Sequence, residues 1–483
     1  MTSPTPLFAL DAIGAGLPVA GAQPALEQAA RSGAMVVTAP PGTGKTTFVP
    51  PLVANLTEGL TLVTQPRRVA VRAAARRIAA LDGTPVGERV GFTVRGERRM
   101  GPRARLEMLT PGVLLRRLLA DPELPGVGAV LLDEVHERSV ETDLLLGMLA
   151  EARLLREDLL VGAMSATVQA QEVSDLLSGA PVVEVPSALH PLEVRYCPPE
   201  GPRVDARGVS RDFLEHVATL AVQAQAETGA DVLVFVPGAR DVDEVVRRAG
   251  ALLASRGSND GSSTNAQHAP AVDVLPLHGR LAPRDQDRAT AGRGPSDPPR
   301  IVVSTALAES SLTVPGVRVV VDAGLDRQVR RDRGRDMSGL VTVSASRASA
   351  EQRAGRAARQ GPGLAVRAYA QADFARMPAQ APPEITAVDL TDTALQLACW
   401  GTPRGEGLAL LTPPPAAEIA QADSTLRALA LVDEAGHATT LGRMVSLLPV
   451  GVREARALVE GSRRHGGRDA LLAAQTVAAL AED

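Results

Sequence analysis

Residues 35–47 read Met35-Val36-Val37-Thr38-Ala39-Pro40-Pro41-Gly42-Thr43-Gly44-Lys45-Thr46-Thr47, and this stretch decides the fold. Its apolar start is typical of a buried strand, and it breaks into a glycine-rich turn ending in Gly-Lys-Thr. Glycines at 42 and 44 allow backbone N–H groups to curl around an anion, and a following helix adds its positive N-terminus. The stretch therefore predicts a phosphate-binding loop between a strand and a helix.

Lys45 is the only lysine among the 51 Lys and Arg residues of the chain. A compact ammonium fits between phosphates where a planar guanidinium does not, so a lysine kept at this position supports the assignment over a chance turn. We expect Lys45 to reach the β- and γ-phosphates and the Thr46 hydroxyl to bind Mg²⁺. The predicted nucleotide-binding loop comprises Pro41, Gly42, Thr43, Gly44, Lys45, Thr46 and Thr47. Ala39, where the usual pattern has glycine, is a small departure.

The composition limits the classes of protein to which this chain can belong. The 483 residues are enough for about three domains of ordinary size. Hydrophobic residues make up 45% but aromatic residues only 2%, so few side chains are left for stacking on bases, and any nucleic-acid contact would be with phosphates. A net charge of −4 excludes a globally basic binder and would require a local groove of arginines.

Two further features concern location. The two cysteines, Cys197 and Cys399, are far apart, which argues against a disulfide framework or zinc site and suits a reducing cytoplasm. Residues 1–20 lack the basic start and long apolar core of a signal peptide, and no apolar run reaches about 18 residues. We expect a cytoplasmic protein with no membrane partner.

A pair of carboxylates supplies the second half of a nucleotide site. The apolar run Ala129–Leu132 ends at Asp133 and Glu134, which predicts a buried strand delivering one group for Mg²⁺ and one that polarises the attacking water. A lone Asp-Glu pair would more simply be a solvated strand end, but here it follows a phosphate loop. The run 159–167 repeats the layout and ends at Ser165 and Thr167. Residues 1–187 thus predict an α/β domain with a mostly parallel sheet covered on both faces.

A second α/β domain is predicted over 188–378, without a phosphate loop of its own. The charged segment at 324–344 predicts a protruding β-hairpin, with a solvated loop as the alternative. Arg356 and Arg359 are three residues apart, so on a helix they share a face and could present guanidinium groups to a γ-phosphate across a domain interface. The alternative is a solvated basic helix. From 383 onward the pattern becomes helical, with a small turn and wing near 435–443, and the helical stretch at 452–480 stops without a capping signal.

The motifs taken together closely resemble the DEAH/RHA group of superfamily 2 helicases, and within it the bacterial HrpB-type helicases. They occur in that family's order and span about 320 residues. The matching segments are 39–46, Thr64-Gln65-Pro66-Arg67-Arg68-Val69-Ala70, Thr110-Pro111-Gly112, Asp133-Glu134-Val135-His136 with Glu137-Arg138, Ser165-Ala166-Thr167, 304–313 and 352–359.

This resemblance implies two RecA-like domains (1–187 and 188–378) with ATP between them, a winged-helix domain (379–449) and the start of a helical bundle (450–483) that we expect to continue further. It also implies roles for individual residues. Asp133 and Glu134 would serve metal and base, while His136, Ser165 and Thr167 would couple hydrolysis to domain movement. Gln352, Arg356 and Arg359 would complete the γ-phosphate site, Arg77 would hold the base, and the nucleic-acid backbone would be bound by Arg67, Arg68, Arg95, Thr110 and Thr305.

The resemblance predicts an ATP-driven 3′-to-5′ translocase, active as a monomer on single-stranded RNA and able to unwind RNA duplexes with a 3′ overhang. A DNA translocase and a non-unwinding ATPase remain alternatives, as does a nucleotide-gated binding module. The chain departs from the family at Val135, Ala306 and Pro315. Leu325 stands where many relatives have an aromatic residue against the base, which predicts loose selectivity among nucleotides, so that other NTPs could replace ATP.

Overall fold

The computed structural model describes residues 7–166, 170–186, 190–259, 272–294, 296–309, 314–332, 337–464 and 467–480. Two units make up the chain. The first consists mainly of Met1–Val185 and Pro382–Asp483, and the second mainly of Pro186–Asp332 and Gly339–Ala381. Thr167 and part of the 304–313 motif lie outside the described residues.

The described part of the first unit contains one eight-stranded sheet. Its strands are β1 (Ala34–Thr38), β2 (Leu60–Thr64), β3 (Val90–Val94), β4 (Glu97–Arg99), β5 (Leu106–Leu109), β6 (Val127–Leu132), β7 (Leu160–Ser165) and β8 (Val182–Glu184). The spatial order is β4-β3-β5-β2-β6-β7-β1-β8. Every neighbouring pair is parallel except β3 with β4. The predicted mostly parallel sheet is therefore confirmed.

Helices cover both faces of this sheet. They are α1 (Leu10–Ile13), α2 (Gln23–Ala30), α3 (Lys45–Leu56), α4 (Arg68–Leu81), α5 (Pro111–Ala120), α6 (Val140–Leu155) and α7 (Ala170–Leu176). Along β1, Met35 and Val37 belong to one hydrophobic core and Val36 to the other. Since both faces of the strand are buried, its sequence is continuously apolar rather than alternating.

The second unit has its own parallel sheet. The strands of the unit are β9 (Leu192–Tyr196), β10 (Val204–Asp205), β11 (Gly208–Val209), β12 (Asp231–Phe235), β13 (Asp273–Leu277), β14 (Arg300–Ser304), β15 (Val317–Asp322), β16 (Leu325–Asp332), β17 (Met337–Ser344) and β18 (Gly363–Arg367). Two pairs of them, β10 with β11 and β16 with β17, form separate two-stranded sheets. The sheet has the order β13-β14-β12-β15-β18-β9, all parallel. Strands β16 and β17 lie within the segment 324–344 predicted to be a protruding hairpin, whose residues 333–336 lie outside the described residues.

The helices of the second unit correct one prediction. They are α8 (Arg211–Thr228), α9 (Ala239–Asn259), α10 (Pro283–Thr290), α11 (Arg347–Ala354) and α12 (Gln371–Arg376). Because α11 ends at Ala354, Arg356 and Arg359 do not share a helix face. The chain tightens after the helix: the N–H groups of Arg356 and Ala357 bond three residues back, to Arg353 and Ala354. Arg356 lies on this turn instead, and Arg359 on the bend that follows it.

The C-terminal segment of the first unit is helical. It contains α13 (Thr391–Trp400), α14 (Ala416–Ala428), α15 (Thr440–Ser446), α16 (Val452–Arg464) and α17 (Gly467–Leu480), and an antiparallel bridge joins Val432 to Ala438. The stretch predicted to be helical over 452–480 is helical in its described residues, as α16 and α17. Leu395 and Leu397 of α13 share a hydrophobic core with Leu115 of α5 and Leu145 of α6. The winged-helix and helical-bundle assignments, and the four domain boundaries, remain predictions.

Candidate functional site

The predicted phosphate-binding loop connects β1 to α3. Gly42 and Gly44 have φ angles of 93° and 90°, a region that side chains rarely adopt. A Cβ at Gly44 would also lie 2.8 Å from Leu17 Cδ1, so both conformation and space require glycine there. Lys45 begins the helix and is 5% exposed. The strand, turn and helix that the motif requires are all present.

Four predicted residues come together at the carboxyl edge of the first sheet. Thr46 Oγ1 donates to Asp133 Oδ2 at 2.5 Å, and Lys45 Nζ lies 3.5 Å from Glu134 Oε2. Asp133 and Glu134 directly follow β6, whereas Lys45 and Thr46 begin the helix after β1. Parallel strands bring these ends to one edge, which is where open α/β sheets bind ligands.

Gln65 is a further member of this site that was not predicted from the sequence. Its side chain is buried and Nε2 donates to Asp133 Oδ2 at 2.5 Å. Gln65 follows the last residue of β2 just as Asp133 follows β6, and these two strands are neighbours in the sheet. The position after a strand was a usable signal, but only knowledge of the strand order makes the two residues partners.

Burial dominates the electrostatics of Asp133. Desolvation and the neighbouring charge of Glu134 raise the pKa of Asp133 to about 7, against the opposing effects of Lys45 and the Thr46 hydroxyl. One carboxylate beside one hydroxyl matches the way Mg²⁺ binds in nucleotide sites, where waters and phosphates complete the shell. Within the described ranges, no cluster of three or more His, Cys, Asp or Glu side chains could hold a metal by itself.

A strained turn follows the carboxylate pair. Glu134 (φ 56°, ψ 36°) and Arg138 (φ 52°, ψ 40°) are left-handed residues on either side of the 3₁₀ turn Val135–Glu137. His136 Nδ1 accepts the N–H of Ala166 at 3.2 Å and lies 3.5 Å from Glu134 Oε2. The turn therefore links Glu134 to the end of β7, where Ser165 is buried. Strain of this kind persists only where surrounding contacts hold it.

Three of the predicted nucleic-acid residues follow neighbouring strands at the same edge. Arg67, Arg95 and Thr110 come after β2, β3 and β5, and Arg67 Nη1 lies 3.4 Å from Glu137 Oε1. Arg68 is exposed at the start of α4, and the predicted base-binding residue Arg77 is exposed further along that helix. Thr305 follows β14 in the second unit. Within the first sheet, the predicted nucleotide residues thus follow β1 and β6, whereas Arg67, Arg95 and Thr110 follow β2, β3 and β5 at the same edge.

In the second unit, Arg353 is the largest fully buried side chain among the described residues, and its role was not predicted from the sequence. Its Nε donates to Glu309 Oε2 at 2.8 Å and its Nη1 donates to Asp322 Oδ1 at 3.1 Å. Burial alone would lower the pKa of Arg353, but the carboxylates of Glu309, Asp322 and Asp326 outweigh that effect and raise it. The buried arginine connects the motif at 352–359 to the one at 304–313.

One of the predicted γ-phosphate residues, Arg356, contacts this cluster. Arg356 is buried, and its Nε donates to the carbonyl of Glu309 at 2.7 Å. Gln352 and Arg359 are partly buried. Leu325, expected against the base, instead packs in the hydrophobic core of the second unit, and its carbonyl accepts from Arg353 Nη1 at 3.0 Å.

Two protein-family models match the sequence of this chain. The model described as DEAD/DEAH box helicase matches residues 21–176, and the one described as helicase conserved C-terminal domain matches residues 212–361. The chain belongs to the DEAD/DEAH box helicases. None of its described helices has both the length and the apolar character needed to cross a bilayer.

Within this class the chain is similar to DEAH/RHA proteins. It is 34% identical over 472 residues to the ATP-dependent RNA helicase HrpB of Escherichia coli (strain K12), covering 97% of this chain and 55% of that protein. It is 33% identical over 431 residues to the probable ATP-dependent RNA helicase DHX34 of Homo sapiens, covering 89% and 36%. A crystal structure of the E. coli DEAH/RHA helicase HrpB matches with a TM-score of 0.84 and 33% identity, covering 96% of this chain and 56% of that one. The chain therefore spans at most about half the length of these relatives.

Proposed function

We propose that this chain is the motor of an ATP-dependent RNA helicase that moves 3′ to 5′ on single-stranded RNA. The observation that carries the proposal is the convergence of Lys45 and Thr46 with Asp133 and Glu134 at one sheet edge. This set contains a cation for phosphates, a candidate metal pair and a carboxylate for water. A module that only sensed nucleotide would not need the carboxylate next to the lysine.

Each residue has a distinct task in this proposal. The loop N–H groups and Lys45 bind the phosphates, and Glu134 orients and deprotonates the attacking water. Thr46 and Asp133 would hold Mg²⁺, which when bound neutralises developing phosphate charge. Gln352, Arg356 and Arg359 would contact the γ-phosphate from the second unit. His136, Ser165 and Thr167 would transmit the change to the rest of the chain.

The chain would contact RNA through its sugar-phosphate backbone. Arg67, Arg68, Arg95 and Thr110 supply cations and a hydroxyl beside the nucleotide site, and Thr305 would contribute from the second unit. The HrpB and DHX34 relatives are both named as RNA helicases, which favours RNA over DNA. We further propose a cytoplasmic monomer, with a winged-helix domain over 379–449 and the start of a helical bundle over 450–483.

The deciding experiment compares RNA with DNA as the stimulating nucleic acid, and 3′ with 5′ overhangs on the duplex to be unwound. ATP hydrolysis is measured alone, with single-stranded RNA and with single-stranded DNA of matched sequence, followed by displacement from duplexes carrying a 3′ or a 5′ overhang. We expect stimulation by RNA and displacement from the 3′-overhang RNA duplex. Stronger stimulation by DNA would identify a DNA translocase, and stimulation without displacement an ATPase that does not unwind. Nucleotide-dependent RNA release without RNA-stimulated hydrolysis would identify a gated binding module.

The raised pKa of Asp133 predicts a pH-dependent requirement for Mg²⁺. A protonated Asp133 cannot serve as a ligand, and with a pKa of about 7 the ionised fraction falls as pH decreases. The Mg²⁺ concentration for half-maximal hydrolysis should therefore be about tenfold higher at pH 6 than at pH 8. The titration is corrected for Mg²⁺ bound by free ATP. An equal requirement at both pH values would contradict the assignment of Asp133 to the metal.

A further inference from the structure

Arg138, the residue that closes the strained turn after Glu134, is held by the C-terminal segment of the first unit. Its guanidinium pairs with Asp143 of α6, with Nε and Nη2 at 3.1 and 3.0 Å from Oδ2. The same Nη2 donates to Thr412 Oγ1 at 2.7 Å, and the Arg138 carbonyl accepts the N–H of Glu384 at 3.1 Å. Both the side chain and the main chain of Arg138 therefore contact residues more than two hundred positions away in sequence.

Glu384 makes a second bond to the same region. Its Oε2 accepts the N–H of Val140, the first residue of α6, at 3.0 Å. A carboxylate at this position satisfies a donor that has no partner within the helix and complements the positive end of the helix dipole. Three hydrogen bonds thus join residues 138–140 to Glu384 and Thr412, and we refer to them as the Arg138 clasp.

The clasp anchors one end of the turn whose other end is Glu134. A left-handed conformation is unfavourable for residues other than glycine, and Glu134 and Arg138 both adopt it. A small cavity beside the turn is lined by His136, Ser165 and Leu411, so the segment that supplies Thr412 also borders the cavity next to the histidine. Displacement of this segment would remove all three clasp bonds and leave the Arg138 guanidinium paired with Asp143. This loss would allow the turn, with its carboxylate, to relax.

We propose that Glu384 and Thr412 are positioning residues, through which the C-terminal segment fixes Glu134 for hydrolysis. This proposal rests on the proposed ATPase function, and it adds a contribution from outside the two helicase motif domains. The C-terminal segment then controls the rate of the chemical step rather than only extending the core. Loss of a clasp bond should lower kcat and leave nucleotide binding by the Lys45 loop unchanged.

Thr412 offers a matched pair of variants, and Trp400 a control. Thr412→Val keeps the shape of the side chain but removes the hydroxyl, whereas Thr412→Ser keeps the hydroxyl. Trp400→Phe breaks another bond between the C-terminal segment and α6, because Trp400 Nε1 donates to Glu151 Oε2 at 2.5 Å. That bond lies farther along α6, away from the turn, so it tests whether any loosening of the same contact surface has the same effect.

The experiment measures kcat and the KM for ATP of the full chain and its variants at saturating RNA. We expect Thr412→Val to lower kcat about fivefold with a KM changed by less than about twofold, and Thr412→Ser to restore kcat. Trp400→Phe should have the wild-type kcat, even if loss of its bond to Glu151 lowers the melting temperature of the protein. A wild-type kcat in Thr412→Val, or an equal loss of kcat in Trp400→Phe, would overturn the proposal.

A second readout does not depend on catalysis. Amide hydrogen exchange over residues 134–140 should be faster in Thr412→Val than in Thr412→Ser, and unchanged in Trp400→Phe. Equal exchange in the two Thr412 variants overturns the positioning role. Absence of any ATP hydrolysis by the wild-type chain would instead contradict the proposed function, while the exchange comparison still decides whether the clasp fixes the turn.

Discussion

Lys45→Ala should reduce RNA-stimulated ATP hydrolysis by about 10³-fold, because the ammonium that neutralises the β- and γ-phosphates is lost from a water-poor site. Lys45 is buried, and its Nζ lies 3.5 Å from Glu134 Oε2. A cation from the solvent would not be held in this geometry. The measurement is steady-state phosphate release at saturating RNA over a range of ATP concentrations.

Two comparisons make this result specific to the phosphate site. Lys45→Arg retains the charge but should be almost as inactive, since a planar guanidinium does not fit between phosphates as an ammonium does. The emission of Trp400, the single tryptophan of the chain, reports whether the first unit remains folded in each variant. Substantial hydrolysis by a folded Lys45→Ala protein would refute the assignment of the loop.

Arg353→Met should destabilise the second unit by about 3–5 kcal/mol, because it leaves buried carboxylates without their cation. Asp322 is buried and would lose its partner at 3.1 Å, and Glu309 would lose the bond from Nε. Methionine fills much of the volume, so the loss arises mainly from the unpaired charges rather than from a cavity. Urea unfolding followed by a probe of the second unit provides the measurement.

The aromatic residues of the chain provide separate probes for the two units. Both tyrosines, Tyr196 and Tyr369, lie in the second unit, and Trp400 lies in the first. The tyrosine signal should shift to lower urea in Arg353→Met while the tryptophan transition stays in place. Arg195→Met is the matched control, since Arg195 forms exposed ion pairs with Glu193 and Glu227 and should leave both transitions unchanged. Unchanged tyrosine unfolding in Arg353→Met would contradict the structural role of the buried cluster.

The local sequence pattern was sufficient to predict the strand, turn and helix around Lys45 and the acidic pair at the end of β6. The strand before Gly42, the turn and the helix at Lys45 depend on neighbouring residues, and Asp133 follows directly from the apolar run that precedes it. The parallel arrangement of both sheets was likewise predictable from alternating strands and helices. Strand order was not, because it is decided by packing between segments distant in sequence.

The missed residues share one physical property. Gln65 and Arg353 are buried polar side chains whose partners come from other strands or loops. In a sequence, such residues are indistinguishable from solvated ones. The same reason applies to the Arg138 clasp, where Thr412 and Glu384 approach from the C-terminal segment. The wrong prediction for Arg356 and Arg359 had a local cause. The helix was predicted to continue past Ala354, where the chain instead forms a tighter turn.

The solitary lysine gives the chain a chemical handle. Acylating reagents and ATP-derived affinity labels directed at amines have a single side-chain target in the 483 residues, Lys45, which is 5% exposed where the loop ends and α3 begins. An endoproteinase that cuts after lysine has one cleavage position, at the heart of the same loop. Because Lys45 is buried at the start of α3, both reactions require the loop to open. A nucleotide that holds the loop closed would slow them further, and this slowing would record occupancy without an engineered reporter.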